Sequence, residues 1–290
     1  MRTFQYLKPT SVREAQELLS HFGEKAKIIA GGTDLMVQWK KKLISPEAMI
    51  SVRNVPELNF VRVDQGLAIG SATTHRSLET NPEVRRLFPV ITDAVDNLGS
   101  VQVRNSATIG GNICNAAPSA DTAPPLLVLD AVVSIAGKEG TTSVPISEFF
   151  GGPSRTVLKP GQLVTDFAIP APAPNTGMAY WKHSRRKAMD LPMLGVAVLL
   201  SLEDDLRTCR KARIALGVSA PVPMRAKQAE AFLEGKSIDE SVLTEAGKIA
   251  VQEAKPRTTI RASEWYRREL IPVLVKRTGL ICIKRAGGKK

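Results

Sequence analysis

The apolar positions of this chain repeat with different periods, and the changes of period divide it. Residues 4–6 are strand-like. Pro9, Thr10 and Ser11 then open a helix in which Val12, Ala15, Leu18, Leu19 and Phe22 form one stripe. Residues 26–30 make a short apolar strand that runs straight into Gly31 and Gly32, and residues 34–42 follow as a helix and 48–52 as a strand. These elements predict a first α/β lobe over residues 1–57. From Asn59 the pattern alternates. Residues 60–63 and 67–69 read as strands about a turn at 64–66, with helical stretches from Arg76 and over 89–98, and strands over 131–136 and 163–169. PAPAPN, at 170–175, is a break of the kind found between domains and closes a second lobe over residues 58–175.

Beyond the break, three strands (178–182, 196–202, 212–217) precede three helices (224–232, 240–254, 262–278). A run of strands followed by a run of helices predicts a compact C-terminal domain over residues 176–290, and an α+β class for the whole. The terminal RAGGKK reads as disordered.

Composition narrows the function classes. With 290 residues, 43% of them hydrophobic and 23% charged, the chain is of globular type. No run approaches the roughly 18 apolar residues of a membrane span, and MRTFQYLKPTSVREA lacks the apolar core of a signal peptide. A cytoplasmic protein is the expectation. Cys114, Cys209 and Cys282 are scattered and form no CxxC pair, so an iron–sulfur or zinc cage is not expected on this chain. A net charge of +12 raises nucleic acid as a partner. The basic residues, however, fall in short clusters at 40–42, 185–187, 210–213 and 284–290, and aromatics make up only 5%, which leaves no base-stacking platform. A solvated basic face, or a dock for an acidic partner subunit, is the better reading. His21, His75 and His183 stand alone, with no nucleophile at motif spacing.

The candidate chemistry lies in two segments that echo each other, IIAGGTDLM (28–36) and ATIGGNICN (107–115). Each runs from apolar residues through Gly-Gly to a small polar residue and an apolar one. Paired glycines after a strand let successive amides face one concavity, a nest suited to anionic oxygens. Either segment alone reads better as an ordinary tight turn. Two together suggest subdomains gripping one extended ligand, as the diphosphate of a dinucleotide requires. GxxxxGK[ST] and GxGxxG are both absent, which sets aside P-loop and Rossmann sites.

IIAGGTDL and TIGGNICNAAPSADTAPPLLVLDA, together with FQYLKPTSVREAQELL, YWKHSRRKAMDLPMLGVAV and IRASEWYRREL, resemble the FAD-binding (medium) subunit of the molybdenum hydroxylase family. That family includes xanthine dehydrogenase, carbon monoxide dehydrogenase and 4-hydroxybenzoyl-CoA reductase, and the likeness covers nearly the whole chain. It implies a two-lobed FAD domain of the vanillyl-alcohol oxidase (PCMH) type, then a domain of three-stranded antiparallel sheet plus helices. By position, Ala30, Gly31, Gly32, Thr33, Asp34 and Leu35 resemble the first-lobe loop about the FAD phosphates. Thr108, Gly110, Gly111 and Asn112 resemble the second, Thr108 offering a hydroxyl and the glycines their amides. Asn115 and Asp121 would face the ribose and ribityl region, where a carboxylate suits vicinal hydroxyls; an Asx turn or helix cap beside Thr122 is the other reading of Asp121. Val164 matches a position packed on the cofactor, and Lys182 a lysine near the flavin, suited to an anionic reduced ring. Leu191 matches a residue covering the isoalloxazine, and Asp190 is the carboxylate before it, or a plain surface charge.

The chain departs from the family pattern at three points. Gln162 stands where Glu is common, Leu191 replaces a Tyr seen in some relatives, and the cysteine-bearing insertion of 4-hydroxybenzoyl-CoA reductase is missing. The resemblance implies an electron-transfer subunit without catalytic residues of its own. Electrons would come from [2Fe–2S] clusters on a small subunit, reduced by a large molybdopterin subunit, and pass through FAD to NAD+ or another acceptor, in a dimer of heterotrimers. Two alternatives stay open: a stand-alone NAD(P)H-dependent flavin oxidoreductase, and a flavin-free assembly subunit.

Overall fold

The computed structural model describes residues 3–287. The first lobe runs β1 (Gln5–Leu7), α1 (Val12–Phe22), β2 (Ala26–Ile29), α2 (Leu35–Lys40) and β3 (Ala48–Ser51). Strand β3 lies between the other two and parallel to both, with Ala48 opposite Gln5 and Ala26. Every residue of β3 is buried, which explains its unbroken apolar run. Ser11 caps α1 by accepting the Glu14 amide at 3.1 Å, and Ala15 and Leu19 bury the stripe read from the sequence. Because the sheet is parallel, the end of β2 opens on the edge where such sheets commonly bind ligands. Gly31 and Gly32 stand at that edge.

The second lobe holds β4 (Val61–Val63), β5 (Gly66–Gly70), α3 (His75–Thr80), α4 (Pro82–Leu87), α5 (Pro89–Asp96), α6 (Val101–Arg104), α7 (Ile109–Cys114) and α8 (Ala123–Val128). Then come β6 (Val132–Gly137), β7 (Gly140–Pro145), α9 (Ile146–Phe149), β8 (Phe150–Gly152), β9 (Arg155–Thr156) and β10 (Leu163–Pro170). Five strands form an antiparallel sheet in the order β4-β5-β10-β6-β7, and β8 pairs with β9 alone. Strand β7 escaped the sequence reading because its GTTSVP faces water nearly throughout and carries no apolar alternation. The second glycine segment departs from expectation more instructively. It is the first turn of α7 rather than a strand followed by a turn, because the Thr108 Oγ1 caps the helix by accepting the Gly111 amide at 3.0 Å.

The C-terminal domain runs β11 (Thr176–His183), β12 (Leu194–Leu202), β13 (Cys209–Gly217), β14 (Met224–Arg225), α10 (Lys227–Leu233), α11 (Glu240–Glu253) and α12 (Glu264–Ala286). Its antiparallel sheet follows chain order. A short fourth strand stands where the sequence suggested the start of a helix. All of β12 is buried, and its faces divide the work. Ala197 and Leu199 join Ile91, Leu126 and Phe167 in the core of the second lobe, while Val196, Val198 and Leu200 join Leu243, Ala246 and Leu274 of the helices. The sheet is therefore a shared wall that fixes β11 against the second lobe. Helix α12 continues well past its expected end. Arg285 locks the last turn by pairing with Asp93 at 2.6 and 3.0 Å and donating to the Met178 carbonyl at 2.7 Å. Arg285 and Ala286, expected to be disordered, are thus helical; residues 288–290 of that tail lie outside the described residues. Among the described residues no helix is long and apolar enough to cross a membrane.

Candidate functional site

The two glycine segments meet. A Cβ added to Gly31 would lie 2.0 Å from the Ser106 carbonyl oxygen and 2.7 Å from the Ala107 Cα, so the first loop rests on the backbone that leads into the second segment. Gly32 has φ +69°, a left-handed conformation that turns the chain from β2 into α2. Among the described residues, the amides of Gly31, Gly32, Thr33, Asp34 and Leu35 donate to no protein acceptor; the first amide engaged is that of Met36, to the Gly32 carbonyl at 3.0 Å. Successive N–H groups left free in this way form an anion nest at the start of a helix.

The second segment is different. Ile109 donates its amide to the Thr73 carbonyl at 3.0 Å, Gly110 to the Ser71 carbonyl at 2.9 Å, and Asn112 to the Thr108 carbonyl at 3.0 Å. The Gly111 amide is taken by the Thr108 side chain. A Cβ on Gly110 would stand 2.6 Å from both the Cβ and the carbonyl oxygen of Ser71. The expected pair of matching nests is therefore one nest and one tightly packed helix start.

Both segments line a single cavity of about 650 Å³, within the range of sites for cofactors and drug-sized ligands. Every residue singled out from the sequence lies in its wall except Lys182. The Asn112 side-chain oxygen Oδ1 accepts the Thr122 hydroxyl at 2.6 Å. The side chains of Thr33, Asn115 and Ser119 have no hydrogen-bond partner among the described residues. Val164 is buried, Asp34 sits exposed at the edge, and Leu191 and Met189 stand 44% and 56% exposed, which gives the opening an apolar lip.

Asp121 closes the wall from behind. Its Oδ1 accepts the Tyr180 hydroxyl at 2.9 Å and its Oδ2 the Lys182 Nζ at 2.8 Å, with both charged side chains almost wholly buried. Burial raises the Asp121 carboxyl above its ordinary range, against the pull of the Lys182 charge and the two hydrogen bonds. Burial and the neighbouring carboxylate also push the Tyr180 phenol well above its usual value. Lys182 further donates to the Asn97 carbonyl at 2.9 Å. Strand β11 thus delivers a cation to the back of the carboxylate, one layer away from the cavity. In the loop that follows, Asp190 accepts the amides of Arg185, Arg186 and Leu191 at 3.1, 3.2 and 3.1 Å. Desolvation would raise its carboxyl, but the amide and charge of Arg186, with the other two amides, hold it below the usual carboxylate range. The carboxylate shapes the loop that carries Leu191.

The wall also holds residues that the sequence reading did not select, among them His75, Gly99, Cys114, Arg186, Met189 and Arg261. Gly99 was signalled by the Gly-Ser pair that opens α6, and Cys114 by its place in the second glycine segment. Arg261 lies in the segment IRASEWYRREL that carries the family resemblance, but nothing in that segment showed that it reaches the cavity from the C-terminal domain. Burial pushes the Cys114 thiol up to about 12, which keeps it protonated. His183 lies outside the wall, with its Nε2 3.2 Å from the Tyr266 hydroxyl.

Comparison with known proteins agrees with this architecture. Residues 2–172 match the family described as FAD binding domain in molybdopterin dehydrogenase, and residues 179–280 the CO dehydrogenase flavoprotein C-terminal domain. The chain is 33% identical over 287 residues to the putative xanthine dehydrogenase FAD-binding subunit XdhB of Escherichia coli K12, covering 98% of this chain and 97% of that one. It is 31% identical over 275 residues to the carbon monoxide dehydrogenase medium chain of Hydrogenophaga pseudoflava, covering 94% and 95%. In structure it superposes on a chain of carbon monoxide dehydrogenase from Hydrogenophaga pseudoflava with a TM-score of 0.94 at 32% identity, covering 98% of each. On a chain of quinoline 2-oxidoreductase from Pseudomonas putida 86 the TM-score is 0.91 at 30% identity, again covering 98% of each. Two lobes joined by their glycine segments, a C-terminal sheet backing the cavity and matches along almost the whole length lead to one assignment: the chain belongs to the FAD-binding subunits of the xanthine dehydrogenase and carbon monoxide dehydrogenase family of oxidoreductases.

Proposed function

We propose that this chain is the electron-transfer flavoprotein of a heteromeric molybdenum hydroxylase, holding FAD in the cavity between its lobes. The observation that carries this reading is the run of unpartnered amides from Gly31 to Leu35, facing a cavity whose other side comes from the second lobe. Such a cradle fits a diphosphate: it supplies several aligned donors, no Cβ at the two glycines, and no competing protein acceptor. Thr33, Asn115 and Ser119 supply unpartnered hydroxyl and amide groups for sugar and ribityl oxygens. Val164 and Leu191 supply apolar surface for a flat ring system. When bound, FAD supplies the chemistry of taking electrons singly and releasing them as a pair.

The protein's own residues orient and insulate. Asp190 fixes the loop that places Leu191 and Met189 over the opening. Asp121, neutralised from behind by Lys182, keeps a polar wall in place without leaving an unpaired charge inside the fold. The three cysteines lie apart, Cys114 in the cavity wall and Cys209 and Cys282 in the C-terminal core. In this reading partner chains bring the [2Fe–2S] clusters and the molybdopterin, in a small and a large subunit, and NAD+ is the acceptor that leaves with the electrons.

Purified complex should contain FAD near one equivalent per copy of this chain, and apoprotein titrated with FAD should quench the flavin fluorescence to saturation. Anaerobic NADH should bleach the visible flavin band of the complex. A preparation indifferent to FAD would overturn the reading. A flavin that NADH leaves oxidised while another acceptor exchanges electrons with it would overturn the choice of NAD+.

A further inference from the structure

Beside the flavin cavity lies a second, smaller hollow of about 100 Å³ that shares Ser119, Leu191 and Arg261 with it. Arg257, Arg261 and Arg267 line this hollow, and neither Asp nor Glu does. None of the three arginines forms an ion pair with an acidic side chain among the described residues. Arg267 is 1% exposed. It donates to the Met193 carbonyl at 2.9 Å, to the Arg257 carbonyl, and to the Thr259 Oγ1 at 2.9 Å, all of them neutral acceptors. Burial, then the charges of Arg257 and Arg261, lower the Arg267 guanidinium from its ordinary value, so the three cations feel one another. A buried guanidinium without a counter-charge is costly, and two more cations beside it add repulsion.

A second observation points to what is missing. Thr259 Oγ1 accepts twice, from Arg267 and from the Arg261 amide at 3.2 Å. Both lone pairs of the hydroxyl are therefore engaged, and its one O–H remains to donate. The Ser119 hydroxyl is also without a partner among the described residues. Three arginines and two hydroxyl-bearing residues line a space with room for one tetrahedral oxyanion and none for a nucleoside.

We propose that Arg257, Arg261, Arg267, Thr259 and Ser119 form a phosphate-binding site at the edge of the flavin cavity. Guanidinium groups recognise phosphate through charge-assisted, often bidentate hydrogen bonds, and Arg is the usual choice where such recognition is needed. The phosphate is either free in solution or part of a nucleotide whose remainder lies over the cavity opening. Only the nucleotide version rests on the proposed flavin function; the anion site itself does not.

The test uses the full chain in its complex. Inorganic phosphate is titrated against chloride at equal ionic strength, and its binding is read by calorimetry and by the thermal midpoint. NADH binding is measured in parallel, and flavin content is determined in every sample. Arg257→Gln lines only the smaller hollow and is exposed, so it should fold with unchanged flavin content. The double variant Arg257→Gln, Arg261→Gln removes two of the three cations. Phosphate affinity is expected to fall about tenfold in the single variant and about a hundredfold in the double. If NADH affinity falls in step, the phosphate belongs to a nucleotide; if NADH is unaffected, the site takes the free anion. No phosphate binding by the parent, or equal binding by parent and variants, overturns the site. A sample without flavin that still binds phosphate would sink the flavin reading and leave this one standing.

Discussion

Two segments that share a glycine pair after an apolar stretch, GGTDL and GGNIC, end up doing opposite things with their backbone. The first leaves the amides from Gly31 to Leu35 free; the second has every amide from Ile109 to Asn112 engaged within the protein. The cause lies in what precedes each one. Ile28 and Ile29 end a parallel strand, whose loop at the sheet edge has nothing above it to accept its N–H groups. Thr108, by contrast, bridges to Thr74 and caps a helix, while Ser71 and Thr73 face the following amides with their carbonyls. A glycine pair is thus permissive, and its surroundings decide whether the bare backbone meets a ligand or another backbone.

The sharpest way to break this comparison is to give each segment a methyl group. In Gly31→Ala the new Cβ would sit 2.0 Å from the Ser106 carbonyl oxygen, a backbone atom that cannot swing aside. The lobes must part, and the cost should fall in the exceptional class above about 4 kcal/mol, with bound flavin lost. In Gly111→Ala the nearest obstacle is the Thr108 Oγ1 at 3.0 Å. Alanine also suits a helix better than glycine, so the net change should stay within about 1 kcal/mol. Flavin content after gel filtration and the urea midpoint of each variant measure this. Equal losses at the two positions would erase the distinction between the segments.

Next in size is the buried pair behind the second segment. Lys182→Met leaves the Asp121 carboxylate enclosed without its cation and should cost about 3–5 kcal/mol. Adding Asp121→Asn removes the stranded charge, so the double variant should recover much of that loss. Denaturation of the four proteins of this cycle gives the coupling directly. A Lys182→Met protein as stable as the parent would mean that the wall does not depend on the pair.

His75 tests the same region by pH. Its amide donates to the Ala107 carbonyl, and its ring is wholly buried with neither nitrogen hydrogen-bonded. Burial, then the Arg104 charge, lower its pKa from 6.5 to about 4. The folded protein therefore keeps the ring neutral at pH values where the unfolded chain takes up a proton. This contribution is complete above about pH 6.5, and stability should drop by about 3 kcal/mol as pH falls from there to about 4. His75→Leu removes two unsatisfied polar atoms and the titration together. Urea midpoints at pH 7.5 and 4.5 should separate the two proteins by more at the lower pH than at the higher, the difference between the two gaps being the titration. A parallel fall in both would exonerate the histidine.

Much of this architecture was legible in the sequence where one face of an element is buried at a regular period. The stripe of α1 and the strand of residues 163–169 are examples. The fully covered β12 was also readable, because burial on both faces gives an unbroken apolar run. What escaped depends on tertiary contacts. Strand β7 has almost no buried face, and the last turns of α12 are held by Arg285 reaching Asp93, a partner far away in sequence. At the site, the glycines and small polar residues gave away the location of the cavity. They did not give the state of the amides, because an N–H that is free and one that is engaged look identical in a string of letters. Lys182 shows the same limit. Its proximity to the cavity could be anticipated, but its direction is set by Asp121 and by the Asn97 carbonyl, which only the folded chain brings to it.

The smallest effect discriminates most finely. Thr108 has two possible duties: its oxygen accepts the Gly111 amide, while its hydroxyl hydrogen stays free to donate into the cavity. Thr108→Ala removes both, and as an N-cap loss it should cost about 1 kcal/mol of stability. Thr108→Ser keeps both and should stay close to the parent. If the second segment serves structure alone, FAD affinity in Thr108→Ala will remain within about twofold of the parent once the fraction folded is accounted for. If instead affinity falls about tenfold in Thr108→Ala and returns in Thr108→Ser, the hydroxyl itself touches the cofactor. The second segment would then regain through one side chain the binding role that its backbone gave up.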